Sequence, residues 1–332
     1  MRALLSHEPG GPETLRLSEL PDPVAGPGEL LVRVRAAAIN YPDVLIIEDR
    51  YQMRPPRPFA PGGEIAGEVE ALGAGVDGWS VGDRLIAVPG FGGLAEMIVI
   101  PAKSAIALPA AHSFIDGAAL LLTYATAIHA LYDRGKLVDG ETLLVLGAAG
   151  GVGLAAIELG KARGARVIAA VSSHDKAQAA RDAGADDAIV YPRGPFDKDG
   201  SKALAQQLKD AVGAGGADVI YDPVGGDYTE SALRAIAWEG RYLVVGFPAG
   251  IPRLPLNLTL LKSCDVCGVF WGAFAARDPA ANAAHVATLF KLWDEGRIGP
   301  RVSATYPLER AGEAIAALAA RSVIGKVVVT LD

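Results

Sequence analysis

The stretch Leu146–Gly153 has the residue types that a phosphate-binding loop needs. Glycines stand at positions 147, 150 and 153, and Ala148 replaces the first glycine of the G-x-G-x-x-G pattern. Glycine lets the backbone approach a pyrophosphate, and the N-terminus of the following helix offers unpaired N–H groups. A glycine-rich turn without a ligand is the alternative, and the predicted strand and helix on either side disfavour it. We therefore expect dinucleotide contacts from four positions, Ala149, Gly150, Gly151 and Val152.

The residues after the second strand of this region distinguish NAD from NADP. NAD sites place an Asp or Glu about 20 residues after the glycine loop, at the end of that strand. Here the strand Arg166–Val171 is followed by Ser172, Ser173 and Lys176, with no acid at its end. Hydroxyls and an ammonium group suit a 2′-phosphate, so we expect NADPH. Two alternatives stay open, because Ser172 and Asp175 also fit a helix capping box, and an inward Asp175 would oppose a phosphate.

Metal-ligating residues are scarce in this chain. Cys264 and Cys267 supply two zinc ligands at most, and they enter an apolar strand rather than open a helix as redox C-x-x-C pairs do. We interpret them as small residues near a sheet edge. The histidines form no spaced cluster, and we assign none to catalysis: His7, His112, His129, His174 and His285. We expect no metal.

Two kinds of region must position these residues. Up to about residue 115, short strands are separated by Gly and Pro turns without helices, which favours a small β-rich, barrel-like domain. From there, apolar strands alternate with helices, a pattern typical of a parallel sheet covered on both faces. The segments that bear on the boundaries are predicted helices at Asp116–Arg134, Leu154–Arg163 and 279–298, and predicted strands at Val266–Trp271 and Gly325–Leu331.

These patterns predict an α/β fold of two nested domains. Residues 1–121 and 273–332 form the β-rich catalytic domain, and residues 122–272 form an inserted Rossmann-type domain with a doubly wound parallel sheet. An unpaired apolar edge at Val266–Trp271 favours pairing across a two-fold axis, so we also expect a homodimer.

Composition excludes several classes of protein. The 332 residues are 51% hydrophobic and 21% charged, which excludes a disordered chain. The formal net charge of −7, without a basic stripe, argues against a nucleic-acid partner. The longest apolar stretch, Gly117–Tyr132, is too short and interrupted to span a bilayer, and the first residues lack the apolar run of a signal peptide. We therefore expect a cytoplasmic protein that acts on a small molecule.

The whole chain resembles the zinc-independent quinone oxidoreductase branch of the medium-chain dehydrogenase/reductase superfamily, which includes zeta-crystallin-like proteins. The resemblance implies that the β-rich domain is GroES-like. The segments on which the resemblance rests are Asn40–Asp43, Pro61–Gly67, Val81–Arg84, Gly147–Gly153, Ala183–Asp186, Asp222–Gly226 and Gly325–Val328.

Departures from the zinc-containing alcohol dehydrogenases of the superfamily are informative. Those relatives carry a Cys where Asn40 stands and a His where Gly63 stands, and their third ligand position falls near Leu122-Thr123. The four-cysteine lobe that holds structural zinc is also missing. Without three N, S or O ligands, the Lewis acid used in alcohol oxidation is lost, and hydride delivery to an already electrophilic carbon remains.

The resemblance also implies site residues. Asn40 and Thr126 belong at the nicotinamide end, and Tyr51 falls where enoyl-thioester reductase relatives place a substrate-activating tyrosine. Tyr41 competes with Tyr51, and either ring could simply pack a cleft wall. Lys326 is implied as a cofactor contact, although a surface charge is an equal alternative. The other implied cofactor contacts are Tyr191, Val245, Gly246, Phe247, Phe270, Trp271 and Gly272.

Three functions fit this sequence. The first is an NADPH:quinone oxidoreductase-type enzyme that reduces quinones or activated α,β-unsaturated carbonyls without metal. The second is an enoyl-thioester reductase of the acryloyl-CoA kind, motivated by Tyr51 and by the basic residues Arg50, Arg54 and Arg57. The third is a nucleotide-binding structural or sensor protein. The sequence does not name the electron acceptor, because fold analogy leaves pocket shape undetermined.

Overall fold

The chain folds into two compact units, one inserted into the other. A computed structural model describes residues 1–331. The first unit contains Met1–Leu122 and the residues from Pro300 onward, and the second contains Thr123–Gly299. The second unit therefore ends at 299/300 and not, as the sequence patterns indicated, at 272/273. Two bonds explain the difference, because Arg297 donates to the carbonyl of Ala162 (2.9 Å) and Gly299 N–H donates to Glu158 (2.9 Å).

Up to Leu122 the first unit is dominated by strands. The strands are β1 Arg2–Leu5, β2 Arg16–Glu19, β3 Glu29–Ile39, β4 Glu64–Leu72, β5 Arg84–Ala87, β6 Met97–Pro101 and β7 Ile106–Ala107. The helices are α1 Tyr41–Ile47 and α2 Phe114–Ala118, and α3 Leu121–Ile128 begins at the boundary.

The second unit alternates strands and helices. Its strands are β8 Thr142–Leu146, β9 Arg166–Val171, β10 Asp187–Val190, β11 Ala217–Asp222, β12 Ile236–Val244 and β13 Asp265–Gly268. Its helices are α4 Gly151–Ala162, α5 His174–Asp182, α6 Lys198–Val212, α7 Tyr228–Leu233, α8 Asn257–Lys262, α9 Trp271–Arg277 and α10 Pro279–Asp294.

The last residues complete the first unit, with β14 Val302–Pro307, α11 Ala311–Ala319 and β15 Lys326–Thr330. β15 pairs antiparallel with β3, so the end of the chain joins the sheet built by its beginning. The sheet order is β14-β15-β3-β4-β5-β7, with β6 also paired to β3. Fully buried side chains such as Leu30, Ile39, Ile65 and Leu85 form its core. This is the β-rich, GroES-like domain that the sequence predicted.

The sheet of the second unit is parallel throughout, in the order β10-β9-β8-β11-β12-β13. Counted within this unit, the order is 3-2-1-4-5-6, the doubly wound arrangement that the sequence predicted. In such sheets ligands bind outside the carboxyl ends of the strands. The loops after β8, β9 and β12 are therefore the candidate ligand-binding loops. Among the described residues, no helix combines the length and hydropathy of a membrane span.

The helix expected at Asp116–Arg134 is three segments. α2 begins earlier because Ser113 caps it, accepting from Asp116 N–H (3.0 Å). α3 starts anew where the Glu64 carboxylate accepts Leu122 N–H (2.8 Å). From His129 to Arg134 the helix widens into a π-helical turn. Such turns are rare and often occur at functional sites.

The strand expected at Val266–Trp271 is also shorter than predicted. β13 ends at Gly268, whose carbonyl accepts a bond from the Arg134 guanidinium (3.1 Å), and helix α9 begins at Trp271. Smaller differences concern ends only. The helices predicted at Leu154–Arg163 and 279–298 run Gly151–Ala162 and Pro279–Asp294, and the last strand is Lys326–Thr330.

Candidate active site

The glycine loop connects β8 to α4 as the sequence predicted. Gly147 adopts a positive φ of 55°, which glycine tolerates best, and Gly150 is the extended residue before α4. No side chain caps this helix end, so its first N–H groups are free for a ligand. A Cβ at Gly153 would lie 2.6 Å from the Gly147 carbonyl oxygen, so close helix–loop packing requires glycine there. The predicted contacts Ala149–Val152 lie at this N-terminus, and the site fits a pyrophosphate.

A small cavity beside the glycine loop brings together predicted residues from two further strands. Ser172 and Lys176 follow β9, Tyr191 follows β10, and all three line the cavity with Ala149 and Gly150. Among residues 1–331, no acidic side chain lines this cavity. Its donor set suits a phosphate on the adenosine side of a dinucleotide.

The capping of α5 differs from the predicted capping box. Ser173 is the cap, with its hydroxyl accepting from Lys176 N–H (3.4 Å). Ser172 is therefore not the capping residue, and Asp175 is exposed in the first turn of α5. An exposed Asp175 removes the objection that its charge would oppose a phosphate inside the cavity.

Tyr191 is held by aromatic neighbours. Its side chain is 5% exposed, and its ring centroid lies 5.1 Å from that of Tyr228. Phe196 meets the same Tyr228 ring edge to face at 5.1 Å. This packing fixes Tyr191 where it lines the cavity.

The loop after β12 carries three of the implied contacts. Val245 and Gly246 donate their N–H groups to the carbonyl of Asp222 at 2.9 and 3.3 Å, and the neighbouring Phe247 is 48% exposed. Asp222 is not among the residues predicted for the site, although its segment, Asp222–Gly226, carries the family resemblance. Its buried carboxylate accepts N–H groups of Val224 and Gly225 and hydroxyls of Thr229 and Tyr242. Asp222 therefore shapes the carboxyl edge of the sheet.

The implied contacts Phe270, Trp271 and Gly272 form the turn into α9. Phe270 is 59% exposed, and the Trp271 indole N–H donates to Asn282 of α10 (2.8 Å). Thr126 lies half-buried in α3. All of these residues belong to the second unit.

The first unit holds a buried polar network around Asn40. Lys326 Nζ donates to Asn40 Oδ1 (2.5 Å) and to Glu64 (3.0 Å), and Asn40 Nδ2 donates to Glu64 (2.9 Å) and to the Ala38 carbonyl (3.3 Å). Lys326 is 4% exposed, so the alternative of a surface charge is wrong. Both N–H groups of the Asn40 amide are thus used inside the protein.

Asp43 joins the same network through the backbone. Its carboxylate accepts N–H groups from Asn40 (2.7 Å), Gly62 (2.9 Å) and Gly63 (3.0 Å). Burial raises the pKa of Asp43 to about 6, against the opposing effects of these bonds and of Lys326. The sequence predicts no role for Asp43 or Glu64, because only the folded sheet brings them to Lys326.

The two candidate tyrosines lie beside this network on α1 and just after it. Tyr41 is the first residue of α1 and Tyr51 follows the helix, and both are half-buried. Neither hydroxyl has a hydrogen-bond partner among residues 1–331. Burial, and secondarily the charge of Asp43, raises the pKa of Tyr51, so its hydroxyl remains a donor at neutral pH.

The donor set of this network does not fit a zinc ion. Asn40 occupies one ligand position, and at another a side chain on Gly63 would lie 3.0 Å from the Gly90 carbonyl oxygen. Leu122 and Thr123 offer no thiolate at the third. The ammonium group of Lys326 adds a positive charge, which opposes a cation. Within residues 1–331, no three His, Cys, Asp or Glu side chains are grouped as metal ligands.

Two family models match the chain. One, described as an alcohol dehydrogenase GroES-like domain, covers residues 26–110, and the other, described as a zinc-binding dehydrogenase, covers residues 151–287. Among curated proteins, quinone oxidoreductase-like protein 2 of Bos taurus is 38% identical over 94% of this chain and 87% of its own length.

Solved structures agree with these matches. Escherichia coli quinone oxidoreductase complexed with NADPH has a TM-score of 0.90 at 30% identity, and the alignment covers all of both chains. A mycobacterial protein, also complexed with NADPH, has a TM-score of 0.91 at 31% identity, again with complete coverage of both.

Proposed function

The chain belongs to the quinone oxidoreductase branch of the medium-chain dehydrogenase/reductase superfamily, and from this we propose that it is an NADPH-dependent reductase of quinones or activated α,β-unsaturated carbonyls. The observation that carries the proposal is the cavity lined by Ser172, Lys176 and Tyr191 beside the uncapped N-terminus of α4. Both related structures named above are NADPH complexes.

The residues of the second unit bind and orient the cofactor in this proposal. The N–H groups at the start of α4 hold the pyrophosphate, and Ser172, Ser173 and Lys176 receive the 2′-phosphate. Contacts further along the dinucleotide come from Val245–Phe247 and Phe270–Gly272. Bound NADPH supplies the hydride.

The first unit supplies the donor for the substrate oxygen. Negative charge develops on that oxygen as hydride arrives, and a positioned neutral donor stabilises it. Asn40 has no amide hydrogen left to donate, because Glu64 and Ala38 accept both. We therefore assign the donor role to the unpartnered hydroxyl of Tyr51, with Tyr41 as the competing hydroxyl. Asn40 instead holds Lys326 against Glu64.

The reaction proceeds without zinc in this proposal. Hydride addition to a quinone or enone needs no metal to polarise an alcohol, because the acceptor carbon is already electrophilic. The misfit between the Asn40 network and a zinc ion supports this assignment.

The thioester alternative loses part of its motivation. Arg50 is paired with Glu48 (2.9 Å), and Arg57 donates to Asp49 (2.7 Å) and to the Ile47 carbonyl (2.9 Å). Of the three basic residues, Arg54 alone has no acidic partner among the described residues. The group therefore has less charge available for an anionic carrier than the sequence suggested.

We also propose that the protein acts in the cytoplasm as a homodimer. β13 is the last strand of the six-stranded sheet, and Val266 on it is 42% exposed. An uncovered strand edge is a template for pairing with a second copy across a two-fold axis.

Steady-state kinetics on a panel of acceptors tests the function. With NADPH as donor, we expect kcat/KM for quinones or small enones to exceed that for short enoyl-CoA thioesters. A strong preference for the thioesters would instead establish the second function, and tight NADPH binding without turnover on any acceptor would support a structural or sensor role.

A further inference from the structure

Two histidines that are far apart in the sequence meet at one carboxylate in the second unit. His129 Nδ1 lies 2.6 Å from Asp133 Oδ2, and His285 Nε2 lies 3.3 Å from Asp133 Oδ1. His129 and Asp133 belong to the π-helical turn, and His285 belongs to α10. The sequence predicts no histidine in the site, and these two lie 156 positions apart.

Phe274 of α9 completes the cluster. Its ring stacks on His129 with centroids 4.1 Å apart and planes 16° apart, and it stacks on His285 at 5.4 Å and 30°. The side chains of His129 and His285 are 8% and 15% exposed, whereas Asp133 is 35% exposed. α9 is therefore bound to the cluster through a ring that both imidazoles contact.

The two histidines contact Asp133 in different ways. An ionised carboxylate only accepts, so His129 donates to Asp133 Oδ2 through Nδ1. His285 Nε2 lies at an ion-pair distance from Oδ1. The other ring nitrogen of His285, Nδ1, is buried without a partner among the described residues. Asp133 therefore orients His129 directly and faces His285 with its second oxygen.

Several ionisable groups on these elements have partners outside the cluster. Tyr132 packs under Arg163, and Arg134 donates to the Gly268 carbonyl. Asp278 caps α10 by accepting from Ala281 N–H (3.0 Å). One turn either side of His285, α10 presents Ala281, Asn282, Thr288 and Leu289, which are uncharged. Asp133 is the acidic partner of both imidazoles.

The cluster is connected to the N-terminal end of α9. Phe274 is one helical turn after Phe270 and Trp271, and Trp271 is itself bonded to Asn282 of α10. A short helix held at both Trp271 and Phe274 has little freedom to rotate. Whatever fixes Phe274 therefore also fixes Phe270–Gly272.

We propose that Asp133 is a positioning residue for the cofactor: through His129, His285 and Phe274 it fixes the segment Phe270–Gly272. This inference rests on the proposed function only for the identity of the ligand, NADPH. The contacts that fix α9 do not depend on the identity of the ligand.

Trp271 fluorescence tests the hold without cofactor. The signal of Trp271 is the difference in emission between a protein and the same protein carrying Trp271→Phe. In Asp133→Asn we expect the emission of Trp271 to shift and its quenching by acrylamide to increase, because the contacts that hold α9 are weakened. His7→Asn, a control at an exposed histidine, should match wild type. Emission and quenching in Asp133→Asn equal to those of wild type would overturn the proposal.

Direct NADPH titration tests the link to the cofactor. Asp133→Asn should raise the Kd for NADPH by about tenfold, as expected for the loss of one charge-assisted bond. His285→Gln, which keeps a donor at the Nε2 position, should retain most of the affinity. If the Kd of Asp133→Asn for NADPH equals that of wild type, the positioning role is refuted. If wild type itself fails to bind NADPH, the proposed function is wrong, and the Trp271 fluorescence still decides whether Asp133 fixes α9.

Discussion

At the scale of single residues, the candidate hydrogen-bond donors differ in whether their hydrogens already have acceptors within the protein. Asn40 has both of its amide hydrogens committed, while the hydroxyls of Tyr41 and Tyr51 have no partner among residues 1–331. A residue whose donors are already satisfied gains little by turning toward a substrate. In the proposed function the network around Asn40 therefore serves rigidity, and a tyrosine is the proposed donor.

Replacing Tyr51 by Phe removes the proposed donor and keeps the ring. We expect kcat/KM for the best quinone or enone to fall about 10- to 100-fold, because the lost bond acts on charge that develops in the transition state. Tyr41→Phe is the matched control and should change kcat/KM by less. An unchanged kcat/KM in Tyr51→Phe would reduce this side chain to packing, and a larger loss in Tyr41→Phe would exchange the two roles.

The buried carboxylate of Asp43 makes stability depend on pH. Its folded-state pKa of about 6 lies above the ordinary value of an unfolded Asp, about 4. Asp43 in the folded state therefore keeps its proton up to a higher pH than in the unfolded state. The resulting stabilisation is fully present below about pH 4 and is lost as pH rises through 6. Linkage gives a decrease in the free energy of unfolding of roughly 3 kcal/mol.

Urea unfolding of wild type and Asp43→Asn from pH 4 to pH 7 measures this effect. The uncharged variant lacks the titration, so wild type should lose free energy of unfolding relative to it as pH rises. A wild type that gains stability over the same range would mean that its three N–H donors and Lys326 outweigh burial.

Residues that act through near neighbours could be predicted from the sequence, and residues that act through distant ones could not. The glycine loop and the Ser172–Lys176 segment are local patterns. The roles of Glu64 and Asp43 depend on Lys326, which lies 286 positions after Asn40. The pairing of His129 with His285 has no sequence signal either, because neither spacing nor periodicity relates them.

For elements with strong periodicity, the predicted type and order agree with the structure. The predicted first and last residues of these elements do not. The parallel sheet follows from apolar strands alternating with helices. The break between α2 and α3 follows from Glu64 accepting Leu122 N–H, a tertiary bond that propensity does not include. The end of β13 also depends on a tertiary bond, because the Arg134 guanidinium donates to the carbonyl of Gly268, the last residue of the strand.

The junction of β8 and α4 gives the prediction at this scale. In Gly153→Ala the new Cβ meets the backbone of Gly147 and Ala148 at 2.6 and 2.7 Å, so the helix must move away from the loop. We expect the free energy of unfolding to fall by roughly 1–3 kcal/mol, as for overpacked sites, and NADPH affinity to fall with it.

Gly215→Ala is the matched control for Gly153→Ala, because nothing lies within 4 Å of a Cβ at that position. Thermal unfolding and NADPH titration of both variants make the comparison. If Gly153→Ala matches the control in both, the loop adapts, and close packing is not the reason for glycine.

At the scale of the whole molecule, the nested chain explains why the residues of the Asn40 network are far apart in the sequence. β15 comes from the end of the chain and pairs with β3 from its beginning, and this pairing delivers Lys326 to Asn40 and Glu64. The second unit builds its cofactor cavity from its own strands, which is why the cofactor side was the more predictable half.

The coenzyme preference tests the central claim most directly. NADPH and NADH are titrated into the same preparation at one ionic strength, and the two Kd values are compared. A cavity lined by Ser172, Lys176 and Tyr191 without an acidic side chain predicts tighter binding of NADPH, by about tenfold or more for a phosphate held by a charge-assisted bond. Equal affinities, or tighter binding of NADH, would contradict the account.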